Sequence, residues 1–323
     1  HLEELVGTNQ ITIEHLVGLF SNQHNLSILK SYFRRGQIIK KYTDWITTYG
    51  ANSSFGEYCK FRLKLLNSNS GTYASTLLNA IPTTKSKQLN NIDWVMMLRI
   101  RLGQPIHGTN KLPSNCICGI KNLSGTHANI HHILSCPKFT YIHQKAHKTC
   151  QLYLSNWLNK NTHFDVAIEQ TVDVSSGNKQ RDNIRIKHTN NTEVAIDIST
   201  IQNMAPTYDA NTFRAPNECA AIRDKMKHDK YYENFKKQNI KFHSLTTEFY
   251  GGFSADAIKI FQIIKNDLLS HVSNSKAVLL IQQLRAEYRF IHLKSYLHSL
   301  QSIYHNIADL RAQVYTLPSY QVY

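Results

Sequence analysis

In the first third of the chain, to about residue 106, apolar positions recur at helical spacing: Leu26, Ile28, Leu29 and Phe33, then Trp45 with Ile46. Polar breaks such as Tyr49-Gly50-Ala51-Asn52 and Asn67-Ser68-Asn69-Ser70-Gly71 separate these runs, which predicts helices joined by turns. A segment over 103–137, rich in Gly, Pro, Cys and His, interrupts the pattern. Helical spacing returns from about 138 to 160, with Leu152, Leu154, Trp157 and Leu158 on one side.

The period then shortens to two. Asn183-Ile184-Arg185-Ile186-Lys187 alternates, Thr189-Asn190-Asn191-Thr192 is turn chemistry, and Val194-Ala195-Ile196-Asp197-Ile198 is a second β-type run. Together they predict a hairpin. Glu218 to Lys237 is rich in helix formers, Ile240 to Thr246 alternates as a strand, and Gly251-Gly252 breaks the chain. Two amphipathic helices follow, one striped by Ala257, Phe261, Ile264 and Leu268, the other by Leu293, Leu297, Leu300, Tyr304 and Ile307. Helix, hairpin, helix, strand and helices in this order predict an α+β (mixed α/β) fold. The segments fall at 1–106 (helical), 107–160 (Cys/His segment and connecting helix), 161–265 (mixed core) and 266–323 (C-terminal helices).

Hydrophobic residues make up 41% of the 323, enough for a folded protein with a real core. Charge adds a functional direction. Lys and Arg number 37 against 22 Asp and Glu, a net +15 with seventeen His in reserve. Such a surface attracts phosphate polymers. Apolar runs such as Ala277–Ile281 fall far short of the ~20 residues of a membrane span. No signal-peptide pattern opens the chain, and its start without Met suggests a fragment. The six cysteines are too few and too uneven for a disulfide scaffold of this length.

Three of those cysteines cluster with histidines. Cys116-Ile117-Cys118-Gly119 is followed by His131-His132-Ile133-Leu134-Ser135-Cys136. Two thiolates one residue apart, then a His and a Cys, supply four ligands suited to tetrahedral zinc. The expected set is Cys116, Cys118, His132 and Cys136, with His131 and His127 as alternates. Four protein ligands leave no open position, so the zinc would be structural.

A second constellation is acidic. Asp182 enters the first strand of the hairpin and Asp197 lies in the second, so pairing can bring them to one Mg²⁺ or Mn²⁺ ion. Asp197 stands among Val194, Ala195, Ile196 and Ile198, where a carboxylate is expensive unless paired or metal-bound. Glu169 offers a third carboxylate, and Lys225, Lys227 and Lys230 on the following helix offer cations.

The order of these motifs resembles the C-terminal region of non-LTR retrotransposon proteins that carry a restriction-enzyme-like endonuclease. Four stretches over roughly 74–265 carry the likeness. Ala74-Ser75-Thr76-Leu77-Leu78-Asn79-Ala80-Ile81-Pro82 with Leu98-Arg99-Ile100-Arg101-Leu102-Gly103 resembles the lead-in to the family's knuckle. Cys116-x-Cys118-Gly119 with His132 to Cys136 resembles the knuckle. Arg181-Asp182 through Asp197-Ile198-Ser199 resembles the Arg-Pro-Asp and Asp-Val-Ser signatures. Lys227-His228-Asp229-Lys230-Tyr231 with Thr247-Glu248-Phe249-Tyr250-Gly251-Gly252 resembles the basic helix and the strand end before a Gly pair. The chain departs from the family in lacking the Pro between Arg181 and Asp182, and in carrying Ser199 where many PD-(D/E)XK enzymes place a lysine.

The resemblance implies a PD-(D/E)XK-like core and a Mg²⁺-dependent endodeoxyribonuclease. Asp182 and Asp197 would be metal ligands, Lys227 or Lys230 the cation near the phosphate, and Glu169 the family's acidic residue before the first strand. It also implies a nuclear protein that nicks DNA to prime reverse transcription, contacts element RNA, and is joined to a reverse transcriptase domain. No Tyr-x-Asp-Asp polymerase core is present in this chain. The alternative reading is a catalytically inactive, zinc-stabilised nucleic-acid-binding module.

Overall fold

A computed structural model describes residues 23–70, 89–102, 118, 132, 136–173, 179–203, 205–208 and 215–315. The stretch Ala74–Pro82 and the residues Cys116, His127 and His131 lie outside the described residues, as do the side chains of Tyr304 and Ile307. The chain divides into two compact units, His1–Leu63 and Lys64–Tyr323.

In the first unit, α1 (Gln23–Tyr49) is followed by the start of α2 (Ser54–Ser68). Gly50, at φ 80°, makes the turn between them, and its carbonyl accepts from Ser53 N at 3.2 Å. Trp45 and Tyr49 pack against Phe55 with ring centroids 5.4 and 5.0 Å apart.

The second unit is α+β. After α3 (Asn91–Leu102) and α4 (Thr140–Asn161) come β1 (Asp165–Ile168), β2 (Thr171–Asp173), β3 (Lys179–Arg181), β4 (Ile184–Lys187) and β5 (Glu193–Ile201). Then α5 (Glu218–Lys237) crosses to β6 (Ile240–Glu248), and α6 (Ala255–Leu268) and α7 (Asn274–Tyr315) follow. The main sheet has the order β1-β4-β5-β6, and β2 and β3 form a separate two-stranded ribbon. β1–β4 and β4–β5 are antiparallel, whereas β5–β6 is parallel, as a helical crossover requires.

Local chemistry sets these elements. The hairpin Ile184–Lys187 to Val194–Ile198 forms as the alternation predicts, with Lys187 opposite Glu193. Asn191 at φ 65° turns the chain, a conformation Asn tolerates, and Asn190 Oδ1 accepts from Thr192 N at 3.0 Å. α5 begins with Glu218 and ends with Lys236 and Lys237, each sign matched to its end of the helix dipole. Ser254 caps α6 by accepting from Ala257 N at 3.1 Å.

β6 is an edge strand, and the chain covers its open side. Gly251, at φ 117°, turns the chain back so that Thr247 bridges Phe253 and Ser254 N donates to Thr246 O at 3.0 Å. On one face of the sheet, Ile184, Ile186, Val194, Ile196 and Ile198 meet Leu154 and Leu158 of α4, Phe261 and Ile264 of α6, and Ile281 and Leu284 of α7. The α6 stripe Ala257, Phe261, Ile264 and Leu268 is fully buried, and Leu293, Leu297 and Leu300 of α7 are buried as well. The other face lies under α5, with Ala195, Phe235, Ile240 and Phe242 packed together. No described helix is long and apolar enough to cross a membrane.

Candidate active site

The α5 face of the sheet buries charge. Successive β5 side chains alternate faces, so Asp197 points away from the apolar layer formed by Ile196 and Ile198 and towards α5. Lys227, in the third turn of α5, places Nζ 2.7 Å from Asp197 Oδ2. Both side chains are largely out of water, and no directed hydrogen bond from the described residues reaches that Asp197 oxygen.

Contrary to what its sequence position predicts, Asp182 does not enter the hairpin strand but lies in the break between β3 and β4, close enough to Asp197 to feel its charge. Its backbone N–H donates to Gln170 O at 3.1 Å, outside the main ladder. Asn183 repairs the gap: its N–H donates to Ile196 O, and its side-chain Oδ1 accepts from Ile198 N at 2.6 Å. Gln151 of α4 holds the Asn183 carbonyl at 2.6 Å. Asp182 is thus released from strand geometry while its neighbour stays pinned. Its Oδ1 accepts from Gln170 N at 3.0 Å, and its Oδ2 accepts from Arg185 Nε at 2.6 Å. Burial pushes the Asp182 carboxyl above its ordinary value; Arg185 works against that rise, and the nearby Asp197 charge adds to it. Arg185 also reaches Glu193 at 3.2 Å and lies over the Phe235 ring.

The other expected site residues go elsewhere. Glu169 N donates to Asn183 O, but its carboxylate turns to Lys148 at 2.7 Å and Arg181 at 3.5 Å, which hold it below its ordinary value. Lys230 is exposed and lies over the Tyr231 ring at 4.9 Å. Lys225 pairs with Asp229 at the surface, at 2.9 Å. Of these three lysines, Lys227 is the one placed against a buried carboxylate.

Oxygen donors of this kind suit a hard divalent cation that keeps several waters. Asp197 fits that role with the oxygen that Lys227 does not face. Asp182 fits it only as far as Arg185 leaves its oxygens accessible.

Sequence reasoning missed a neighbouring polar cluster. Asp256, in the first turn of α6, accepts from Ser244 N at 2.7 Å, His228 Nε2 at 2.8 Å and His243 Nδ1 at 3.0 Å. Its burial opposes ionisation, yet these bonds hold the carboxyl well below the usual range. Asp224 of α5 is buried beside it, bonded to Thr246 and Ser254, and burial pushes it up. Glu248, at the end of β6, is fully buried, and burial raises it to about 7 despite bonds from Asn203 and Ala220 N. Its Oε2 has no hydrogen-bond partner among the described residues. These groups come from α5, β6 and α6; Asp224 and His228 share a helical spacing, but nothing in the sequence ties them to Glu248 or Asp256.

Of the expected zinc ligands, Cys118, His132 and Cys136 are described, and their ligand atoms lie within 4.8 Å of one another. Cys118 Sγ and His132 Nε2 are 3.1 Å apart. Two thiols and an imidazole so placed fit a borderline-soft ion such as zinc. Burial keeps the His132 imidazole below its ordinary value, which favours the neutral form that ligates. Compared with known proteins, the chain matches no family model and no curated relative.

Proposed function

We propose that the chain is a metal-dependent DNA endonuclease of retroelement origin, whose nick in target DNA primes reverse transcription. One observation carries the reading: two buried carboxylates, Asp182 and Asp197, share the α5 face of the sheet with Lys227. The order of α4, antiparallel strands, crossover helix α5 and parallel β6 supports a PD-(D/E)XK-like core. The +15 charge supports a polyanionic substrate.

Asp197, with the part of Asp182 that Arg185 leaves open, would hold Mg²⁺ or Mn²⁺. The bound ion would supply an activated water and neutralise charge on the phosphate. Lys227, 2.7 Å from Asp197 Oδ2, would keep a cation beside the metal carboxylates, where charge develops during phosphodiester cleavage. Lys230, on the exposed side of α5, suits a backbone contact, and Glu169, tied to Lys148, suits a fixed outer support. The Cys118/His132/Cys136 cluster, completed by Cys116, would carry structural zinc. In the intact element we place this chain in the nucleus, joined to a reverse transcriptase domain and in contact with element RNA.

One observation favours the second reading, an inactive zinc-stabilised nucleic-acid-binding module. The Arg185 guanidinium occupies Asp182 Oδ2, as a residue that has replaced a lost metal would. Plasmid nicking with Mg²⁺ or Mn²⁺ against an EDTA control separates the two. The nuclease reading expects Asp197→Asn to lower nicking by about 10²-fold or more, and Lys227→Ala by more than ~10-fold. DNA affinity should stay near wild type in both variants. A wild-type chain that binds DNA but never nicks it establishes the binding module instead.

A further inference from the structure

Away from the α5 face, the junction of α4 with β1 meets the turn between α6 and α7. His163 lies just after α4, Asp267 in the last turn of α6, and His271 in the following turn. Each offers a ligand atom, and those atoms lie within 4.8 Å of one another. We propose that His163, Asp267 and His271 form a second metal site, one that takes a borderline transition-metal ion such as Zn²⁺ and clamps α4–β1 to the α6–α7 turn. The proposal does not depend on the nuclease reading.

The surrounding bonds prepare the ligands. Asp267 Oδ2 accepts from the His163 backbone N–H at 3.0 Å, which fixes the carboxylate beside the imidazole and leaves Oδ1 for an ion. His271 Nε2 stands 3.2 Å from Asn161 O. A carbonyl can only accept, so this contact places the ring proton on Nε2 and leaves Nδ1 for an ion; Ser270 Oγ stands 3.3 Å from Nδ1 but gives its one proton to Asp267 O at 2.6 Å. An imidazole whose second nitrogen donates to a backbone carbonyl is the usual arrangement in a metal site. The two rings lie 4.1 Å apart at 60°, tilted rather than stacked.

Two imidazoles and one carboxylate suit zinc, copper or nickel and are a poor set for Mg²⁺, which prefers oxygen. Both histidines are exposed. Three protein ligands at the surface leave coordination positions for water, unlike the thiolate-rich cluster. The two sites therefore differ in spectrum as well as in place.

Co²⁺ bound to the full chain distinguishes them, because thiolate ligation gives an intense sulfur-to-cobalt charge-transfer band and N/O ligation does not. Equilibrium dialysis counts total Co²⁺ per chain while the band reports the cysteine site. His163→Ala, His271→Ala and the milder Asp267→Asn should each remove about one bound Co²⁺ per chain and leave the band unchanged. The substituted side chains are exposed or half-buried, so circular dichroism should match the parent and show that folding is not the cause. Unchanged stoichiometry in all three variants overturns the proposal, as does a loss confined to the charge-transfer band. Nicking activity plays no part in the readout.

Discussion

On one face of the sheet, Ile184, Ile186, Val194, Ile196 and Ile198 meet α4, α6 and α7 in a layer of aliphatic and aromatic side chains. On the other, the same β5 strand offers Asp197 and Ser199 to α5, which answers with Lys227 and Arg223. The backbone is shared and the burial comparable, yet the β4 and β5 side chains on one side are all aliphatic, with the buried Arg289 of α7 over Phe253, and those on the other meet α5 through charge. Burying charge is costly unless it is paired, so the charged face is a poor source of stability. The apolar face supplies what the charged face consumes, and the charged face is free to be arranged for chemistry.

The largest loss is expected on the apolar side. Phe261 is fully buried and packs edge-on against Phe253 with ring centroids 5.1 Å apart. Phe261→Ala should lower unfolding free energy by about 3–5 kcal/mol, the range for deleting a core aromatic and leaving its cavity. Denaturant titration measures it, and a loss below about 1 kcal/mol would mean that the layer is not the main source of stability.

Glu248 tests the charged side with the opposite sign. Its ordinary value is 4.5, and in the fold it rises to about 7. The folded state therefore holds this proton more tightly than the unfolded state. Its contribution is present in full below pH 4.5, fades as pH rises to about 7, and changes no further above that. Glu248→Gln removes the titration and keeps the shape. The variant should gain stability over wild type as pH goes from 5 to 8, approaching about 3 kcal/mol at most. Denaturation at both pH values checks it; an advantage that shrinks with rising pH would mean that Glu248 is ionised and well paired in the fold.

These two residues also mark how far the sequence could be read. Phe261 sits in a stripe at helical spacing, and the α6 stripe and the β4–β5 hairpin follow from period because each element repeats its own burial pattern, while the span of α5 follows from its run of helix formers. Asp197 is conspicuous for a related reason: a carboxylate inside an apolar strand has to have a partner. Glu248 gave no such sign, since its burial comes from Asn203, Ala220 and the Gly251–Gly252 turn, brought together only in the fold. Arg185 was hidden by parity. Three residues from Asp182, it would face away if β4 ran straight through, and the break repaired by Asn183 is what lets them meet. The choice of Lys227 over Lys225 and Lys230 needed the angle at which α5 crosses β5, which no spacing encodes.

That choice supplies the last and finest division, within a single helix. Lys225 and Lys227 are two residues apart on α5, about 200° around its axis, so they point to nearly opposite sides. The Lys225 side chain is 76% exposed and pairs with Asp229 one turn on, whereas the Lys227 side chain is 14% exposed against Asp197. Lys227→Met keeps the length of the side chain and removes its charge. It strands Asp197 with no directed bond on Oδ2, and should cost about 2 kcal/mol, below the full penalty for breaking a buried pair because the site retains some water. Lys225→Met should cost less than about 0.5 kcal/mol, since a surface pair in water gains little and loses side-chain freedom. The same denaturation assay reads both, beside Asp197→Asn/Lys227→Met, in which neither partner is charged. The double variant should recover part of the Lys227→Met loss, because the stranded charge, not the missing methylene contacts, is the source of the cost. Equal losses for Lys225→Met and Lys227→Met, or no recovery in the double variant, would show that the buried carboxylate is not paired through α5 at all.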